Sequence, residues 1–225
     1  VIISRGGLFQ ARLLRIIVES RDSGTFMKIK SAQFIKSAPD LASCPESPMG
    51  EVAFIGRSNV GKSSLVNFLA ARKGLAKVSQ TPGHTTLINF FRMNDAWTMV
   101  DLPGYGYAKR SRANRGKFNE FVSDYLVNRP NLLGVFILID SRIPPQTLDL
   151  DFIEWVVDCQ IPFALIFTKT DKAKAGPLKK NIRAFLDALA ERCDGEPTYF
   201  TCSAKAQTGR LDILDFVRKM VEVCG

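Results

Sequence analysis

The sequence predicts an α/β protein in three layers, with helices on both faces of a mostly parallel sheet. Three observations carry this. Short apolar runs alternate with stretches whose apolar residues recur at helical spacing. The stretch Gly56-Arg57-Ser58-Asn59-Val60-Gly61-Lys62-Ser63 fits G-x-x-x-x-G-K-[ST] and lies between an apolar run and a helical one. Further polar turn motifs each follow an apolar run, the end of a strand at which such sheets bind ligands. Together they describe a P-loop NTPase fold of about six strands, one of them antiparallel.

Residues 1–26 read as a poorly ordered basic leader. Arg5, Arg12, Arg15 and Arg21 stand against Glu19 and Asp22, and Leu8, Leu13, Leu14, Ile16, Ile17 and Val18 can share one helical face. A transit peptide fits this stretch; a start assigned ahead of the true one at Met27 fits slightly better. Residues 27–49 are an N-terminal arm. Within it Lys28 to Lys36 forms either a strand or an extended segment, and Pro39, Pro45 and Pro48 punctuate a loop. Residues 50–225 make up the main domain.

Glu51 to Ile55 is its first buried strand. Leu65, Phe68 and Leu69 mark a helix that fades by Lys73-Gly74, and Leu75 to Thr86 lacks any helical period. Leu87 to Met93 and Trp97 to Leu102 pair as a hairpin across Asn94-Asp95. A helix from Asn114 to Asn128 turns Phe118, Phe121, Val122 and Tyr125 inward. Leu132 to Asp140 and Pro162 to Thr168 are buried strands. An amphipathic helix between them follows Pro144-Pro145 and ends near Asp158. A helix opened by Pro177, a strand from Thr198 to Cys202 and a last helix through Val221 complete the domain.

Of the 225 residues 46% are hydrophobic, enough for one sizeable core. No apolar run approaches the roughly 20 residues that cross a bilayer, so no membrane partner is expected. The five cysteines are odd in number and form no C-x-x-C, which argues for reduced thiols in a cytoplasm. The single histidine, His84, argues against a multi-histidine metal site. A net charge of +9 favours a polyanionic partner, above all nucleic acid.

The glycine loop can curl its backbone so that successive N–H groups face an anion, with the positive end of the next helix behind them. Lys62 reaches the β- and γ-phosphates, and the Ser63 hydroxyl ligates Mg²⁺. Asp101-Leu102-Pro103-Gly104 follows a strand. Its carboxylate can hold a water on Mg²⁺ and the Gly104 N–H can meet a γ-phosphate. Thr168-Lys169-Thr170-Asp171 follows another. A carboxylate at Asp171 accepts two hydrogen bonds from guanine, which adenine does not offer. Ser203-Ala204-Lys205 follows the last strand and can meet the guanine oxygen. A threonine in Thr81-Pro82-Gly83-His84-Thr85-Thr86 can complete a Mg²⁺ shell; the sequence alone leaves Thr81, Thr85 and Thr86 open.

The ordered set resembles the translation-factor-type GTPases and, more closely, the bacterial EngB/YihA/YsxC ribosome-biogenesis family of the TrmE-Era-EngA-EngB-Septin-like class. The matching residues are Gly56 to Ser64, Thr81 to Gly83 with Thr85, Leu87 to Phe91, Asp101 to Lys109, and Asp140-Ser141-Arg142 with Pro144-Pro145. The likeness runs from about Met27 to the end. It implies GTP and GDP binding with Mg²⁺, GTP hydrolysis, assembly of the large ribosomal subunit, and a role in cell division and septation. It selects Thr85 as the switch threonine, and so implies Lys62, Thr85 and Gly104 as the catalytic set. It extends nucleotide contact to Gly83, His84, Thr86, Leu87, Thr201 and Cys202. His84 and Thr86 depart from the family's usual Arg or Lys and Gln. Thr168 replaces the Asn of most other GTPases, which drops one contact that braces the base pocket. Asn59 implies a potassium ion beside the phosphates.

Tyr105 occupies the place where many GTPases carry a water-aiming Gln, so slow hydrolysis is expected of the isolated, monomeric protein. Lys109, Arg110, Arg112, Arg115 and Lys117 form an acid-free cluster suited to ribosomal RNA. Asp149, Asp151, Glu154 and Asp158 make the helix after Pro145 acidic and unsuited to RNA. The competing reading is a nucleotide-gated RNA-binding module with negligible hydrolysis.

Overall fold

The computed structural model describes residues 27–76, 87–105 and 120–224. Their strands are β1 (Ala32–Ala38), β2 (Glu51–Gly56), β3 (Ile88–Met93), β4 (Trp97–Asp101), β5 (Leu132–Asp140), β6 (Phe163–Thr168) and β7 (Tyr199–Thr201). The helices are α1 (Lys62–Leu69), α2 (Glu120–Asn128), α3 (Thr147–Asp158), α4 (Ala175–Ala190) and α5 (Arg210–Cys224). One seven-stranded sheet runs in the order β1-β3-β4-β2-β5-β6-β7.

Strand β3 pairs antiparallel with β1 and with β4, and every other pairing is parallel. A single strand therefore opposes the rest, as the hairpin signal predicts. The count exceeds the expected six because the stretch near Lys28 to Lys36 resolves as β1, paired on the outer side of β3. Periodicity announces β1 poorly, since it is an edge strand buried only at its ends. Phe34 is 49% exposed there, with its ring edge-to-face against Phe91 at 5.8 Å between centroids.

Alternation along β2 builds the two cores. Val52 and Phe54 face α1 and α5 with Leu65, Phe136 and Phe216, whereas Ala53 and Ile55 face α2, α3 and α4 with Tyr125, Phe152 and Phe185. Each large apolar side chain buried this way contributes about 1.5–3 kcal/mol. A buried charge anchors the loop ahead of β2. The Arg129 guanidinium donates to both oxygens of Glu51, at 2.5 and 2.9 Å, and to Pro45 O, while Tyr125 donates to Glu51 Oε2 at 2.6 Å.

At the β3–β4 turn Asn94 and Asp95 both take positive φ, and Ala96 N–H donates to Met93 O. The Asn94 side chain also holds the incoming chain, accepting from Lys30 and Ser31 N–H and donating to Lys28 O. At the other terminus α5 returns along the sheet until Met220 packs over Gly134, near the start of β5. Among the described residues no helix is long and apolar enough to cross a membrane. Cys44, Cys159, Cys193 and Cys202 are unpaired.

Candidate functional site

The carboxyl ends of β2, β4, β5, β6 and β7 share one edge of the sheet, and the sequence motifs lie there. Between β2 and α1 the chain bends through Asn59 at φ 64° and Gly61 at φ 106°. The second angle disfavours a Cβ, which accounts for glycine at position 61. Val60 N–H donates to Arg57 O and Leu65 N–H to Gly61 O, closing the curl. No side chain caps α1 at its N-terminus, so its first N–H groups and positive dipole end face the loop. Ser63 lies in the first turn of α1, half-buried, and Ser64 is exposed. The Lys62 ammonium pairs with the Asp101 carboxylate at the end of β4, both nearly buried. Two motifs far apart in sequence thus meet.

Beyond β4, Leu102 N–H donates to Phe54 O at 3.0 Å and lays the chain against β2. Leu102 and Pro103 are buried, so their side chains serve packing. A Cβ on Gly104 would stand 2.7 Å from Gly56 O and 3.4 Å from Ser58 N. The two backbones approach so closely that only glycine fits. Tyr105 then turns into the core. Its hydroxyl donates to Asp149 Oδ1 at 2.9 Å, and its ring stacks on Phe152 with centroids 4.3 Å apart. Burial, then the Asp149 charge, holds the phenol well above its ordinary value. So engaged, Tyr105 is not available to aim a water.

Arg57 Nε donates to the same Asp149 oxygen at 2.8 Å. Asp149 is 1% exposed; burial pushes its carboxyl up, opposed by Arg57 and Tyr105. The sequence reading counted Asp149 with Asp151, Glu154 and Asp158 as making this helix acidic; the structure takes Asp149 out of that set, into the interior. Asp151 and Glu154 pair with Arg192. The missed signal was register: Asp149 is in line with the buried Ile153 and Val156 of α3.

On the base side, the buried Thr168 hydroxyl lies 2.7 Å from Val60 O and 3.2 Å from Ile139 O. The expected loss of a brace is thereby corrected, because this hydroxyl supplies one. Lys169, at φ 59°, donates its ammonium to Asn59 O and to Asp140 Oδ2. Asp140 also accepts two bonds from the Arg142 guanidinium and one from the Arg142 N–H. Burial pushes the Asp140 carboxyl up, but the bonds from Arg142 and Lys169 outweigh it and hold it at about 2. The role of Asp140 in seating Lys169 has no local signal in the sequence.

A 3-10 turn, Thr170–Lys172, carries Asp171. The Ser203 hydroxyl donates to Asp171 Oδ1 at 2.6 Å and, more than any other neighbour, holds that carboxyl below its usual range. Ser203 Oγ in turn accepts from Ala206 N–H. The loop Thr201, Cys202, Ser203, Ala204 is joined to the base motif through Thr170 N–H, which donates to Cys202 O. Burial pushes the Cys202 thiol up to about 12, so its role is packing. Leu87 is partly exposed just ahead of β3.

Thr81, Gly83, His84, Thr85 and Thr86 lie outside the described residues, as do Lys109, Arg110, Arg112, Arg115, Lys117, Phe118 and residues 1–26. Among the described residues no three His, Cys, Asp or Glu converge on a metal position. The oxygen donors Ser63 and Asp101 still suit Mg²⁺, which needs few protein ligands when phosphate and water complete its shell.

Residues 51–169 match a family described as 50S ribosome-binding GTPase. The chain is 49% identical over 194 residues to a probable GTP-binding protein EngB of Bacteroides thetaiotaomicron, covering 86% of this chain and 96% of that one. To the protein of the same name from Christiangramia forsetii it is 48% identical over 191 residues, covering 85% and 96%. A crystal structure of a probable GTP-binding protein engB superposes with TM-score 0.57 at 20% identity, covering 77% of this chain and 99% of that one. A variant of Aquifex aeolicus Era bound to GDP and aluminium fluoride gives TM-score 0.57 at 22% identity, covering 78% and 56%. At those identities the two structures support the fold alone.

Proposed function

This chain belongs to the EngB family of GTP-binding proteins, and from that premise we propose a nucleotide-gated assembly factor for the large ribosomal subunit, acting in the cytoplasm and needed for normal division and septation. The chain is a GTPase of that family. The observation that carries the guanine reading is the Asp171 carboxylate, oriented by Ser203, with its neighbours Thr168 and Lys169 bonded to Val60 and Asn59 of the phosphate loop. One rigid arrangement offers acceptors for a guanine edge and N–H donors for a triphosphate.

Hydrolysis here needs positioning and charge rather than covalent chemistry. On nucleotide binding Lys62 exchanges its Asp101 partner for the β- and γ-phosphates, which frees that carboxylate, and the Gly104 N–H meets the γ-phosphate. Magnesium, held by Ser63, Thr85 and a water on Asp101, would supply further positive charge to the phosphates. Water attacks the γ-phosphorus and GDP leaves. With Tyr105 engaged by Asp149 and Phe152, no Gln-type side chain among the described residues follows Gly104 to orient that water, and slow intrinsic turnover is the expectation. Asn59 is the candidate for a potassium ion that would add charge beside the phosphates. Lys109, Arg110, Arg112, Arg115 and Lys117 are the candidate contacts to ribosomal RNA.

Two measurements test this. Competition binding should show GTP and GDP displacing a fluorescent guanine nucleotide while ATP does not; equal competition by ATP removes the guanine assignment. Turnover should rise when large-subunit particles are added in potassium buffer and fall in sodium. A rate unaffected by particles removes the assembly role, and equal rates in the two buffers remove the potassium site.

A further inference from the structure

The structure brings three segments onto one buried carboxylate. Arg57 belongs to the phosphate loop, Tyr105 follows the Gly104 turn, and Asp149 lies in the first turn of α3. Arg57 Nε and the Tyr105 hydroxyl both donate to Asp149 Oδ1, at 2.8 and 2.9 Å. An Asp buried to this degree is costly unless paired, so each donor is held by the need to satisfy the charge. The Tyr105 ring lies nearly parallel to Phe152, at 17°, which adds a packing constraint to the polar one. Gly104 lies directly before Tyr105, so near the phosphate loop that a Cβ on it would stand 2.7 Å from Gly56 O and 3.4 Å from Ser58 N. Moving Tyr105 off Asp149 would therefore lift Gly104 off the loop.

We infer that Asp149 is a positioning residue for γ-phosphate recognition: by holding Arg57 and Tyr105 on one oxygen it sets Gly104 against the phosphate loop, and so lets the site tell a triphosphate from a diphosphate. This deepens, and rests on, the guanine-nucleotide reading given above. Arg57 and Tyr105 thereby acquire roles that their sequence positions do not suggest. The guanidinium serves α3 rather than the ligand, and the aromatic ring is a tether for the segment that must find the γ-phosphate. The linkage crosses 92 residues from Arg57 and 44 from Tyr105.

The test uses the full-length chain with fluorescent GDP and a fluorescent non-hydrolysable GTP analogue. Tyr105→Phe removes the hydroxyl and keeps the Phe152 stack, so it folds even if Asp149→Asn does not. Each variant should bind the GTP analogue about tenfold more weakly, the effect of one hydrogen bond to a charged group, while GDP affinity stays within about twofold. A purely structural role would weaken both ligands alike, and that result overturns the proposal, as does an unchanged or increased preference for the triphosphate. The double variant should lose no more than the larger single loss, because the groups act as one unit; a multiplicative loss overturns it. Failure of the wild type to prefer guanine over adenine nucleotides would instead sink the underlying reading.

Discussion

Replacing Thr168 with Val isolates the bond that joins the base side of the site to the phosphate side. The two side chains have nearly the same shape, and both suit the end of β6, so the change removes only a hydroxyl. That hydroxyl is buried and lies 2.7 Å from Val60 O, with Ile139 O at 3.2 Å. A net hydrogen bond is worth about 0.5–1.5 kcal/mol, and a buried acceptor left without a partner costs about 1–3 kcal/mol. We expect a loss of about 1–3 kcal/mol, or about 2–4 °C in Tm for each kcal/mol in a chain of this size. Because the bond holds two halves of one ligand site, GTP and GDP should both weaken, by up to about tenfold if 1.4 kcal/mol of that loss falls on binding. Thermal unfolding with and without GDP, and titration with both nucleotides, measure this. Thr168→Ser keeps the donor and should retain most of the affinity. A Thr168→Val protein with wild-type Tm and wild-type affinities would refute the idea that the hydroxyl braces the loop.

Asp171→Asn puts an N–H where guanine needs an acceptor; GTP affinity should fall by about 10²-fold or more, and xanthosine triphosphate, with a carbonyl at that edge, should bind better than to wild type. Unchanged GTP affinity would refute it. Gly104→Ala forces a Cβ to 2.7 Å from Gly56 O; the segment must shift, so affinity for a GTP analogue should fall about tenfold or more while GDP binding persists, as titration would show. Asp140 has a lowered folded pKa, from 3.8 to about 2, so its contribution is present above pH 4 and is lost as pH falls through 2. Chemical denaturation should show about 2 kcal/mol of acid-sensitive stability that is absent in Asp140→Asn.

What the sequence revealed was local. The phosphate loop, the buried runs at β5 and β6, and the Asn94-Asp95 turn each carry their signal within a few residues, because backbone conformation and burial pattern are short-range properties. Pairings across the fold were not legible. Arg57 and Asp149 are 92 residues apart, and Thr168 and Val60 are 108 apart. No spacing rule relates such residues until the sheet brings strand ends together. Strand β1 was ambiguous for a related reason. Its outward residues include Lys36 and the exposed Phe34, and its partner β3 lies far along the chain. Asp149 was the exception, since an acid in line with Ile153 and Val156 is itself a sign of a buried partner.

The grip of Asn94 on Lys28, Lys30 and Ser31 has a practical corollary. The hairpin tip lies at the amino end of β4, whereas the nucleotide loops lie at its carboxyl end. Helix α5 brings the other terminus back to the same pole, where Met220 covers Gly134. A fluorophore joined directly at Met27, or at the last turn of α5, would sit on the underside of the described fold, away from the nucleotide loops.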